Sequence, residues 1–164
     1  LGLDIPKGTM SVSRVLKAVM AALVAGMWLV VPPAGAQERL AGAKSIRCSF
    51  PRMVAATWKK DGAPDAAPKP ASLVLRYEAI DADDGTAQLR NGSMTSDVIV
   101  RASTGYLHFM QVFRTGPLYT TTVFDKDANG KLKAVHSRHE YFTVPLAGST
   151  SSPEQYYGEC EIVN

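Results

Sequence analysis

The sequence predicts an all-β fold: a small antiparallel meander forming a barrel or a sandwich, its ends tied by one disulfide. Three observations carry this. From Ser45 onward the apolar residues recur with period two, turn chemistry interrupts them at short intervals, and the only two cysteines, Cys48 and Cys160, lie near the two ends of that region. No amphipathic helical period is evident there.

Taken in order, the alternating runs are residues 44–50, 54–58, 72–80, 86–90, 97–102, 106–114, 118–124, 131–142 and 156–163. Asp83-Asp84-Gly85, Asn91-Gly92, Ser103-Thr104-Gly105, Thr115-Gly116-Pro117 and Asn129-Gly130 supply the turns between them. The run 106–114, YLHFMQVFR, is apolar on both faces, which predicts a central strand covered on both sides in preference to a binding surface. Two stretches break the pattern. KKDGAPDAAPKP at 59–70 reads as a mobile surface loop, and LAGSTSSP at 146–153 as a second loop.

The cysteines share a phase with apolar neighbours, Cys48 with Ile46 and Phe50, and Cys160 with Tyr156 and Ile162. Both thiols are therefore expected to face the core. A bond between them would close a loop of just over 110 residues, which the chain-entropy picture values at about 4–5 kcal/mol. It would also set the first and last strands side by side.

The N-terminal 36 residues read as a leader rather than as part of the fold. Met10 opens a charged segment with Arg14 and Lys17, the apolar run AVMAALVAGMWLVV follows, and Ala34, Gly35 and Ala36 predict cleavage before Gln37. Residues 1–9 read as upstream sequence, leaving a single mature β domain at 37–164. Export to the periplasm or beyond follows, with no stable membrane span after cleavage. The mature part carries a charge of roughly +1 and no basic run, which excludes nucleic acid as an expected partner.

The segment DKDANGKLKAVHSRH, at 125–139, holds the polar residues most open to a functional reading. Asp125, Asp127 and Asn129 reproduce the first half of a calcium loop, but His136 stands where a bidentate Glu completes such a site. The favoured reading is a hairpin turn at Asn129-Gly130, with weak calcium binding as the alternative. His136, Arg138 and His139 form a candidate polar surface site; alternation points His136 and Arg138 one way and His139 the other, which argues against a shared metal. No nucleophile elbow or carboxylate pair is visible, so no catalytic residue and no cofactor is assigned.

The motifs IRCSF, TTTVFD, AVHSRH and QYYGEC, behind a leader, together resemble a family of small exported proteobacterial proteins without an assigned activity. The chain is also similar in architecture to periplasmic inhibitors of C-type lysozyme, small eight-stranded barrels whose ends a disulfide ties. Ser103, Thr104, Gly105 and Tyr106 echo that family's loop and are a candidate interaction loop. Three functions are thus expected to compete: a non-enzymatic periplasmic binding or envelope-associated module, an inhibitor of a secreted hydrolase such as lysozyme, and a small lipophile carrier. The partner would be a protein or a small apolar ligand.

Overall fold

A computed structural model describes residues 39–142 and 152–163. The expected leader at 1–36, its start at Met10 and most of the loop at 146–153 lie outside the described residues.

Among the described residues, eight antiparallel strands follow one another around a closed barrel. They are β1 (Ile46–Trp58), β2 (Pro64–Asp81), β3 (Thr86–Asn91), β4 (Met94–Ser103), β5 (Tyr106–Val112), β6 (Leu118–Ala128), β7 (Lys131–His139) and β8 (Glu154–Ile162). The barrel resolves the choice between barrel and sandwich. It closes where β1 meets β8, and there Cys48 lies in register with Cys160 and is bonded to it. Both are fully buried, as are Ile46, Phe50, Leu75, Leu107 and Val123 of the same core.

Every predicted turn separates two strands, but three expectations about the strands need correction. The runs at 44–50 and 54–58 are one strand, because β1 continues through a register break between Phe50 and Arg52. The loop expected at 59–70 is mostly strand: Pro64 to Pro70 pair residue by residue with Trp58 to Arg52, leaving only residues 59–63 for the turn. Pro64, Pro68 and Pro70 have the same parity, so their missing N–H groups fall on one side of β2. On that side the pairing with β3 begins only at Arg76, and an edge is where a sheet tolerates proline.

The third correction concerns β5. Leu107 and Phe109 face the core, but Tyr106 is 43% and Val112 68% exposed. Among the described residues the barrel is a single wall with no second layer over its outer face, so β5 is not sandwiched as its composition suggested.

Hairpin turns at 82–85, 104–105 and 129–130 share one end of the barrel, here called the lower end. A helical turn at residues 39–41 precedes β1 and buries Leu40 in the core. It is fastened by an ion pair of 2.9 Å between Arg39 and Asp125. The turns at 59–63, 92–93 and 113–117 mark the upper end. In the interior between them Tyr77 stacks on Phe109, their rings 3.8 Å apart.

Gly158 sits opposite the break in β1, where backbones approach closely. A Cβ there would lie 2.8 Å from Phe50 Cα and collide with the Ser49 carbonyl oxygen. Two outcomes are expected in denaturant unfolding. Gly158→Ala, which forces main chain to move, lowers stability by about 2–3 kcal/mol. Replacing Cys48 and Cys160 together by Ser lowers it by about 2–4 kcal/mol, and a loss below 1 kcal/mol would show that strand pairing alone holds the seam.

Candidate functional site

Alternation sends every second side chain of β6, β7 and β8 into the barrel, and the register decides which of them meet. Tyr119 lies across from Arg138 and Thr121 from His136 on one side; His136 lies across from Tyr156 and Arg138 from Glu154 on the other. Glu140 follows β7 in the same phase. These residues form a polar network at the upper mouth, directly above the apolar core.

At its deepest point, the Tyr77 hydroxyl is 2.5 Å from the Thr121 hydroxyl, and Thr121 Oγ1 is 2.7 Å from His136 Nδ1. The Arg138 Nε–H points at His136 Nε2 over 3.4 Å. Because Arg only donates, Nε2 must accept, which places the imidazole proton on Nδ1, toward Thr121. The ring is therefore neutral. Burial drives the His136 pKa down to about 3, the charge of Arg138 pushes in the same direction, and a hydrogen bond with the Thr120 backbone opposes them.

Nearer the surface, the Arg138 guanidinium lies between two phenol rings, 5.3 Å from the centre of Tyr119 and 5.2 Å from that of Tyr156. It pairs with Glu154 at 3.8 Å. Tyr156 donates its hydroxyl hydrogen to Glu154 over 2.5 Å, and Tyr119 donates to Glu140 over 2.6 Å. Burial is the main reason that both phenols are pushed up to about 12, and the carboxylates they serve add to it. They act as donors, not as phenolates. At the rim Trp58 meets Tyr141 edge to face at 5.3 Å, and both are more than half exposed.

The residues singled out in the sequence are distributed over both ends. His136 is 2% exposed, so the expected polar surface site is corrected: His136 and Arg138 face inward, and only His139 lies exposed outside. The reason is the phase of β7, in which Leu132 and Ala134 are also buried. Ser103 and Tyr106 pair across a two-residue turn made by Thr104 and Gly105, so this candidate loop is a tight hairpin. Gly105 accepts a hydrogen bond from the Asp125 amide, which brings that hairpin to the start of the candidate calcium segment. Asp125 turns its carboxylate to Arg39, while Asn129 and Gly130 take left-handed backbone angles as the corner between β6 and β7. Among the described residues no group of three His, Cys, Asp or Glu side chains is placed to hold a metal ion.

Tyr77, Tyr119, Glu140 and Glu154 lie in no motif, and Thr121 and Tyr156 fall within TTTVFD and QYYGEC with no function attached to them. Their only signal in the sequence is phase: Glu154 and Tyr156 alternate with Cys160, so a buried cysteine marks their face as inward. Comparison with known proteins finds no matching family model, no matching curated protein and no matching solved structure.

The neutral histidine has a measurable consequence. Its pKa lies near 3 when folded against 6.5 in the free side chain, so between those values the unfolded chain binds a proton that the fold refuses. This contribution is intact above pH 6.5 and is lost as pH falls toward 3. Urea unfolding should show a loss of about 2 kcal/mol from this source between pH 7 and pH 5. His136→Gln is expected to flatten that slope while lowering the plateau. An unchanged slope would show that other groups carry the acid sensitivity.

Proposed function

We propose that this chain is an exported, non-enzymatic binding module that engages its partner through the upper mouth of the barrel. One observation carries the reading: Arg138, with its side chain 17% exposed, is held between two phenols and beside Glu154 on the rigid wall of a filled barrel. Partly buried ion pairs add little net stability, because desolvation offsets their attraction. A network kept at a mouth, where barrels take their ligands, is better explained by recognition. The rim pair of Trp58 and Tyr141 adds exposed aromatic surface of the kind that anchors interfaces.

Support for a binding role over catalysis comes from how the polar groups are used. The phenols are tied to carboxylates as donors, and His136 spends both ring nitrogens on neighbours. Export is supported by the leader pattern and by the Cys48–Cys160 bond, which suits an oxidising compartment. Among the described residues no helix is long and apolar enough to cross a membrane.

Inhibition of a secreted hydrolase is a second reading, favoured by the β1–β2 hairpin. Trp58 ends β1 next to the turn at residues 59–63, so an exposed ring stands at the tip of the upper rim. A carrier of lipophiles inside the barrel has less support: the void beneath Tyr119, Thr121 and His136 is about 10 Å³, room for no more than one water.

Trp58 is the only tryptophan in residues 37–164, so 5-fluorotryptophan at that position reports on the mouth by fluorine NMR. Titration with a C-type lysozyme tests the inhibitor reading, and titration with soluble peptidoglycan fragments tests an envelope ligand. The expected outcome is a saturable shift of the Trp58 signal with one of them, weakened about tenfold by Arg138→Met in a protein that still melts cooperatively. A partner whose binding is unchanged by Trp58→Ala and Tyr141→Ala would remove the mouth as the site.

A further inference from the structure

The outer wall of the barrel carries a second feature, away from the mouth. A groove of about 810 Å³ runs across β7 and β8 and is banked by the irregular segments of β1 and β6. That volume lies in the range of small-molecule sites. Its polarity changes along the strands. Lys126, Lys131 and Lys133 line the end near the β6–β7 turn, and Phe124, Val135 and Tyr157 line the part toward mid-barrel.

The register makes this gradient definite. Lys133 lies across from Glu159, which offsets one positive charge, and two residues farther along Val135 lies across from Tyr157. Lys126 and Lys131 leave a positive excess at one end, and Lys131 stands about 13 Å along the strand from Val135. Tyr157 is 43% exposed although it sits on a barrel strand, so the apolar part is open to a ligand. A cationic end joined to an apolar trough complements one ligand chemistry, an anionic head on a single apolar chain.

We infer that this groove binds a single-chain anionic amphiphile, with its phosphate-type head on Lys126 and Lys131 and its chain along Val135 and Tyr157. The site is separate from the mouth and does not depend on it.

The test is calorimetric titration of residues 37–164 with dodecyl phosphate below its micelle concentration, beside inorganic phosphate, dodecyl maltoside and anionic phospholipid vesicles. The inference expects saturable one-to-one binding of dodecyl phosphate, with amide shifts centred on Lys131, Val135 and Tyr157. Replacing Lys126 and Lys131 by Gln should weaken it about tenfold, whereas Lys59→Gln with Lys60→Gln, the same charge loss at the upper end, should leave it unchanged. Inorganic phosphate and the neutral maltoside should each bind at least tenfold more weakly. Equal binding of the maltoside, binding to vesicles without binding of monomeric dodecyl phosphate, shifts centred on Trp58, or no saturable binding would each overturn the inference.

Discussion

The pairing of β1 with β8 is the constraint on which the rest of the structure depends. A meander of eight strands left open would present two long edges to solvent, each a row of unpaired N–H and C=O groups. Closure removes both, and the residues that secure it are Cys48 and Cys160, opposite one another and bonded across the seam. Closure also fixes what inside means for every strand. Once Cys48 and Cys160 face the core, so do Ile46, Phe50 and Tyr156 on the same two strands, and the register carries that choice around the wall.

The wall is not built from unbroken alternation: its three longest strands each carry an irregularity. β1 shifts register between Ser49 and Arg52 against β8, β2 between Glu78 and Asp81 against β3, and β6 between Val123 and Asp127 against β7. In β2 the cost is visible at Ala79, which takes a left-handed backbone angle that a residue with a side chain rarely adopts. In β8 it is visible at Gly158, which has no side chain to obstruct the Ser49 and Phe50 backbone. Bulges of this kind twist and bend a strand locally. Two of them border the outer groove, so the same geometry that lets the barrel close also shapes its outer surface.

Much of the fold is legible in the sequence because its signals are local. Asn129-Gly130 and Asp84-Gly85 announce hairpin corners, and the phase of Cys48 and Cys160 announces a shared interior. The stretch at 59–70 was not legible, since three prolines and three alanines argue against a strand when read alone. What makes Pro64 to Pro70 extended is the partner strand, Arg52 to Trp58, together with an edge that asks nothing of the missing N–H groups. The outer face of β5 misled for a related reason: Tyr106 and Val112 look like core, but among the described residues no second layer covers them.

The mouth was less legible than the fold, because its members come from separate strands and only register joins them. Arg138 and His136 are near neighbours in AVHSRH, yet what defines their chemistry is Tyr119 and Thr121 on one side and Glu154 and Tyr156 on the other. These positions look unremarkable in sequence because each of them, taken singly, suits a solvent-facing strand position. Placed inward, they have to satisfy one another, and they do so in a graded way. The neutral histidine and the Thr121 and Tyr77 hydroxyls lie deepest, where a charge would be most costly, and farther up the guanidinium of Arg138 keeps some exposure, while Glu140 and Glu154 are largely buried as acceptors for the phenols. A core built only for stability would have continued the apolar packing of Tyr77 and Phe109 up to the rim. The barrel instead changes from apolar to polar as it rises, and the charged residues are capped at the rim by the exposed rings of Trp58 and Tyr141.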